Sequence, residues 1–432
     1  MALLGRFGAR KLGLPAVLGE LGMGILIGNL AYLFSFDLIL VLREGPAVFN
    51  LMENMLQGET VELACTNALG TEKTENILTL LRGPNGNELI QVAYALDVFS
   101  RYGIIFLLFM VGLRTSIDEM RQVGPDALRV AVIGVALPFA LGFISSYLLI
   151  PDIPLHTSLF LGAALGATSV GISVMVLREL KMDNTRVAHI ILGAAVLDDI
   201  LGLLLLAIVS GIVVTGGIEA VQILMVIIMT SVFLAGAIYI GPRVLEVIIY
   251  LARKLNLMEA KMFVSFLFVM LLAWMANLAG LATIIGAFTA GLILHDAYFS
   301  HWGEYKEHAY SIRDLIMPLE VILVPIFFVL MGLQVKLETF LQQDVMLLAA
   351  GLLFAAIVGK VLSGFGALGV KHRLAIGIGM MPRGEVGLIF AAIGKSLGVL
   401  DDALFSAVVL MVVVTTLLSP PLFKYCLKRC KD

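Results

Sequence analysis

The amino-acid sequence predicts an all-α, multi-pass membrane protein of about twelve transmembrane helices, built as an inverted repeat with two broken helices. Three observations lead there. Apolar residues fill 60% of the 432 positions and charged residues only 14%, with a mean hydropathy of +1.02, whereas soluble domains are about half apolar and a quarter charged. Apolar runs of roughly 20 residues, the length that crosses a bilayer, recur along nearly the whole chain. The short alternating strands of a barrel are missing, so each span must satisfy its own backbone as a helix.

The runs lie at roughly 12–36, 90–114, 127–149, 156–178, 186–213, 219–250, 259–278, 279–296, 318–335, 344–370, 373–397 and 402–426. Residues 37–89 read as one long external loop, containing TNALGTEKTEN and RGPNGNE, with amphipathic or extended helix at GPAVFNLMENML and ELIQVAYALDVF. MALLGRFGARK is too short for a cleavable signal peptide and leads straight into the first span. The start is read as either truncated or naturally short. Basic residues set the orientation. With Arg10, Lys11, Arg186, Lys371, Arg373 and the tail from Lys424 in the cytoplasm, inside basic residues outnumber the outside ones by about four to one. Only Arg43, Lys73, Arg82, Lys336 and Lys395 remain outside, which places both termini in the cytoplasm and the spans in the cell (inner) membrane.

The net charge of −3 gives no reason to expect a nucleic-acid partner, and the lipid bilayer is the expected surroundings. Cys65, Cys426 and Cys430 form neither a disulfide framework nor, without a nearby histidine, a zinc site.

Internal matches come next. GLPAVLGELGMGILIGN (13–29) resembles GLATIIGAFTAGLILHD (280–296), FLLFMVGLRTSI (106–117) resembles IFFVLMGLQVKL (326–337), and ATSVGI (167–172) aligns with RGEVGL (383–388). Spans one, two and four thus pair with eight, nine and eleven. The odd offset makes the second copy enter the membrane from the opposite side. Spans four (GAALGATSVGISVMVL) and eleven (GIGMMPRGEVGLIFAA) are both interrupted by glycine, proline or hydroxyl residues. Discontinuous helices at matched positions point to a transport site, because their half-helix ends present unpaired N–H and C=O groups. The alternative is that these glycines serve only close helix packing.

Asp198 and Asp199, in AAVLDDILG, are the only charges between His189 and Val214. Each carboxylate at a helix centre costs about 2.5–3.5 kcal/mol on insertion scales. Neighbours on a helix point about 100° apart, so the two aspartates face different surroundings. Lys360, in AAIVGKVLSG, is the lone intramembrane lysine and reads as lying deep in span ten. A buried lysine needs an anion and a buried aspartate a cation, so one aspartate can face Lys360 and the other a water-filled cavity. A purely structural role, with all three joining helices, is the alternative. A carboxylate balanced between desolvation and a nearby cation holds either a proton or a small cation, the minimum for proton-coupled cation exchange. Arg383 and Glu385 flank Gly384 in the second break, either lining the ion path or bonding to the opposing repeat. Asp97 and Arg101 suit an i,i+4 ion pair. Glu20 has no evident partner, and His189 reads as an interfacial histidine.

GLPAVLGELGMGILIGN, FLLFMVGLR, GATSVGISVMVLREL, ILGAAVLDDILGL, PIFFVLMGL, VGKVLSG and GMMPRGEVGLI resemble the monovalent cation:proton antiporter superfamily. The resemblance is to the branch of bacterial sodium/proton antiporters and Kef-type potassium/proton antiporters. It implies a homodimer whose protomers pair a panel (spans 12–36, 90–114, 279–296 and 318–335) with a core (127–213 and 344–426), in which spans four and eleven cross. It also implies that Asp199 carries Na+ or the proton, that Asp198 pairs with Lys360 and adjoins the ion, and that Thr168, Ser169 and carbonyls over 167–171 complete an oxygen shell. Gly171, Arg383, Gly384 and Glu385 then support the breaks. The protein would be no enzyme and would need no cofactor beyond the transported ions.

Many potassium-efflux relatives replace the first aspartate by glutamine. Both are present here, favouring electrogenic Na+ (or Li+)/H+ exchange by an elevator-like alternation. A glycine-rich nucleotide-binding unit is not found. A K+/H+ exchanger or K+ efflux pathway on the same scaffold stays open. An intramembrane aspartyl protease is a distant alternative, since it needs its two aspartates on separate helices.

Overall fold

The computed structural model describes residues 1–34, 36–56, 58, 60–69, 71–114, 124–169, 173, 174, 176, 177, 180, 182, 185–215, 220–254, 260–299, 310–368 and 370–428. Every regular element among them is helical. In chain order these are α1 (Ala2–Lys11), α2 (Ala16–Leu33), α3 (Asp37–Arg43), α4 (Pro46–Leu56), α5 (Val61–Leu69), α6 (Thr71–Arg82) and α7 (Gly86–Arg114). There follow α8 (Pro125–Leu149), α9 (Leu155–Ala164), α10 (Arg186–Thr215), α11 (Ala220–Lys254), α12 (Ala260–Leu278) and α13 (Thr283–Ile293). The last are α14 (Ile312–Leu333), α15 (Gln343–Ser363), α16 (Arg373–Gly379), α17 (Glu385–Ser396) and α18 (Asp402–Lys428). Nine of the described helices are long and apolar enough to cross a bilayer. The remaining predicted spans are the short α9 and α13 and the half-helices α16 and α17.

The two copies of the repeat begin with one backbone device. Gly13 and Gly280 adopt φ of +69° and +70°, a conformation open to glycine. The next residue then bonds back over the preceding helix end: Leu14 N–H donates to Ala9 O and Leu281 N–H to Ala276 O, both at 2.9 Å. Each turn starts a helix that meets its partner at matched glycines. A Cβ on Gly24 of α2 would lie 2.3 Å from the Val329 carbonyl oxygen of α14, and one on Gly291 of α13 would lie 2.3 Å from that of Phe109 in α7. Small residues allow such backbone contact in membranes. The inverted repeat is therefore present as repeated packing.

Helix packing falls into two groups. In the first, α2 packs on α1 and α14, α14 on α7, and α7 on α13, which packs on α12. In the second, α8 gathers α9, α10 and α15, while α18 packs on α15 and α17. α11 touches α10 on one side and α12 and α13 on the other. Leu21, Phe327 and Met331 of the first group share one buried apolar cluster with Phe160, Leu161 and Leu388 of the second. Asp126 fastens the second group from one end, accepting bonds from Arg129 (2.5 Å), Arg186 (3.0 Å) and the Leu368 N–H (3.1 Å).

Several sequence readings need correction. Residues 37–89, read as one long loop with helix at GPAVFNLMENML, are mostly helical: α4 is the helix expected there, α3, α5 and α6 are further ones, and α3 packs on α2, α7 and α14. α14 starts at Ile312 rather than 318, because Ser311 and Asp314 form a reciprocal cap: Asp314 N–H donates to Ser311 Oγ (3.1 Å) and Ser311 N–H to Asp314 Oδ2 (3.2 Å). α15 ends at Ser363, so Lys360 sits in its last turn, yet it is fully buried and bonded to Asp198 of α10. α1 runs back along α2, with Gly5 against Gly19 and Met23. Residue 1 therefore lies beside the middle of α2, and the turn at 12–15, not the terminus, shares an end with Arg10 and Lys11. Glu20 does have a partner, Arg6, at 2.6 Å. The Asp97–Arg101 pair forms at 2.6 Å.

Candidate functional site

α10 carries both aspartates in an otherwise apolar helix. Ala194 and Ala195, one turn earlier, are fully buried. At Gly202, one turn later, a Cβ would stand only 3.3 Å from the Ala167 Cβ. Small residues thus let α10 approach the first broken helix, and the carboxylates reach the break instead of lipid.

That break follows α9. Its helix closes at Leu165, and Ala167, Thr168 and Ser169 continue without helical bonds. The second break separates α16 from α17 over residues 380–384. Each break supplies what the other lacks. Ser169 N–H donates to Pro382 O at 2.8 Å, Thr168 Oγ1 to Met380 O at 3.1 Å, and Arg383 Nη1 to Ala167 O at 2.8 Å. Ser169 Oγ donates to Glu385 Oε2 at 3.0 Å, and Ser173 Oγ bonds to Gly379 O. A Cβ on Gly384 would sit 2.6 Å from Ser169 Oγ, so glycine is what permits this approach. Glu385 occupies the first turn of α17, where a carboxylate complements the helix N-terminus. The two breaks therefore bind each other directly. Gly171 lies outside the described residues.

The aspartates part company as their angular offset requires. Asp198 is fully buried, and its Oδ1 accepts from Lys360 Nζ at 2.7 Å; Lys360 is fully buried too. The lysine reaches it from the end of α15, with Gly134 of α8 leaving room: a Cβ there would be 3.5 Å from Nζ. Asp199 is half-buried. Asp198 Oδ2 and Asp199 Oδ1 are buried and accept no hydrogen bond among the described residues, and Arg383 Nε and Nη2 donate none. Three carboxylates (Asp198, Asp199, Glu385) meet two cationic groups (Lys360, Arg383), leaving one negative charge for a monovalent cation or a proton to neutralise. No cluster of three His, Cys, Asp or Glu side chains is placed to hold a metal ion among the described residues. A cation here would depend on aspartate, hydroxyl and carbonyl oxygens, the donor set hard cations take.

Sequence reasoning missed the support behind these paired breaks. Thr416 of α18 donates to the Arg383 carbonyl at 2.9 Å and Ser419 to that of Ile378 at 3.4 Å. Both are hydroxyls at ordinary helical spacing, which carries no local signal.

Paired helix breaks around a buried, incompletely paired aspartate define an ion-translocating secondary transporter. The comparisons agree and narrow it. Residues 73–426 match the family described as "Sodium/hydrogen exchanger, transmembrane", and the chain belongs to that family. It is 36% identical over 419 residues to the high-affinity Na(+)/H(+) antiporter NhaS3 of Synechocystis sp., covering 95% of this chain and 84% of that one. It is 34% identical over 383 residues to the Na(+)/H(+)-K(+) antiporter GerN of Bacillus cereus, covering 87% and 94%. The solved structure of the sodium proton antiporter MjNhaP1 from Methanocaldococcus jannaschii at pH 8 shares the fold, with a TM-score of 0.55, 18% identity and coverage of 98% and 97%.

Proposed function

We propose that this protein exchanges Na+ (or Li+) for H+ across the cell's inner membrane by alternating access, as a homodimer, with Asp199 as the carrier. The observation that carries the reading is the unequal pair on α10, one aspartate bonded to Lys360 and the other with an unpaired buried oxygen at the paired breaks. Family membership and the names of the relatives support the cation class. In this reading the first helix group is the panel and the second the core. The core moves against the panel, and Asp199 crosses the apolar contact only when neutralised by a proton or Na+, because an uncompensated charge is costly there. That restriction couples the two fluxes without ATP. Asp198 stays with Lys360 in the state described here, and Thr168 and Ser169 lend oxygens to the ion. Exchange is electrogenic, the turn at 12–15 and the C-terminal end of α18 belong to the cytoplasmic side, and no catalytic chemistry or cofactor takes part.

The test is purified protein in liposomes with an imposed pH gradient and a dye reporting its loss. Adding Na+ or Li+ collapses the gradient, and Asp199→Asn reduces this to the protein-free level. Cation-driven collapse that survives the substitution removes Asp199 from the carrier role. A second reading, K+ as an alternative cargo, is favoured by the likeness to GerN, and K+ added alone in the same vesicles decides it.

A further inference from the structure

Where α2 and α14 end and α18 begins, the chain holds a second set of sequestered charges that the aspartate site does not use. Lys336 lies in the connector from α14 to α15 and is 7% exposed. Its Nζ is 2.7 Å from Glu44 Oε1 and 2.9 Å from Asp402 Oδ2. Asp402 Oδ1 lies 3.1 Å from Lys395 Nζ at the end of α17. Arg43, 2% exposed, donates to Asn29 Oδ1 of α2 at 2.9 Å. The Lys336 backbone N–H donates to Ser406 Oγ of α18 at 3.2 Å.

Exposed ion pairs contribute about 0–1 kcal/mol, but these are buried, where a charge deprived of its partner is strongly unfavourable. Their membership matters more. Asn29 and Arg43 belong to the first helix group, since α3 packs on α2, α7 and α14, whereas Lys395 and Asp402 belong to the second. Relative motion of the groups leaves the Asn29–Arg43 and Lys395–Asp402 contacts whole, because each is internal to one body. Lys336 is bonded to both bodies, to Glu44 on one side and Asp402 on the other, and Arg43 also reaches Glu338 in the 337–341 connector, which packs on α15 and α18.

We propose that Lys336 is the keystone of an ionic latch that closes this end of the molecule, and that its bond to Asp402 breaks and reforms in each transport cycle. The proposal rests on the proposed transport function, in which the two groups move against each other. Parting strands no charge: Lys336 keeps Glu44, Asp402 keeps Lys395, and water entering the opened end hydrates the rest. Such a contact is tight when dry and easily released when wet, because the effective dielectric rises with water entry. It also gives the start of the 37–89 segment a role: the corner after α3 supplies Glu44, the fixed half of the latch.

A cysteine pair at 336 and 402, in a chain whose Cys65, Cys426 and Cys430 are serine, tests this in proteoliposomes. A short, reducible bis-thiosulfonate tether should lower Na+-driven gradient collapse about tenfold or more, and reductant should restore it. Tethered protein exchanging at the untethered rate overturns the latch. If the native chain itself collapses no gradient with Na+, the transport reading is what fails. Hydrogen exchange of Lys336→Gln supplies a readout independent of activity. The latch requires faster exchange at 37–43 and 396–402 with 155–164 unchanged, and unchanged exchange at the first two segments overturns it.

Discussion

In α2 and α13 the two repeats make one contact twice, Gly24 against α14 and Gly291 against α7, each so close that an added Cβ would lie 2.3 Å from a facing carbonyl oxygen. In the interrupted segments the same repeats keep only the interruption. The first break is neutral, through Ala167, Thr168 and Ser169, while the second carries Arg383 and Glu385 and sends the arginine into the first break's Ala167 carbonyl. Duplicated halves stay alike where backbone proximity is all that matters, for glycine serves both copies equally. They diverge at the midpoint, where the donors of one break must face the acceptors of the other, which two equal copies do not supply.

The largest effect is expected where that divergence is charged. Lys360→Met leaves Asp198 buried without its 2.7 Å partner, a loss expected to cost about 3–5 kcal/mol. Adding Asp198→Asn should recover most of it, since the unpaired charge is then gone. Thermal unfolding of the four proteins in detergent measures the cycle. Equal instability of the single and double variants would mean that the lysine acts through packing alone.

The same contrast explains what could be read from the sequence. The matched helices and both breaks were legible because each rests on local spacing, and so was the need of Asp198 or Asp199 for Lys360, which cost alone dictates. Helix geometry says only that the two differ; that Asp198 is the one to meet Lys360 is what the family resemblance implies, and the two are bonded at 2.7 Å. The partner of Glu20 was missed because Arg6 lies on α1, whose fold back along α2 has no signature in spacing. Within 37–89 the helix at 46–56 was read from its amphipathic pattern, but α3, α5 and α6 were missed. The composition of α6, TEKTENILTLLR, resembles a loop, while α3 is apolar but only seven residues long and is held by packing on α2, α7 and α14.

A middle-sized effect tests the conserved half of the comparison. Gly24→Ala and Gly291→Ala each place a methyl group against a backbone carbonyl that has no rotamer with which to yield. Overpacking of this kind costs about 1–3 kcal/mol. The two sites share no partner, so the double variant should lose the sum to within about 0.5 kcal/mol. Loss at one site only would show that the repeated contact supports one half of the molecule and merely occurs in the other.

The smallest effect separates structure from ion binding within the neutral break. Thr168→Val removes the bond to Met380 O, and Thr416→Val removes the bond to Arg383 O. Each should lower stability by about 1 kcal/mol. They should differ in transport, because Thr168 stands in the first break while Thr416 braces the second from behind. If the Thr168 hydroxyl is also an ion ligand, its loss raises the KM for Na+ and Thr168→Ser restores it, with Thr416→Val leaving KM in place. Equal KM in both variants would confine Thr168 to joining the breaks, leaving the aspartates and backbone carbonyls to hold the cation.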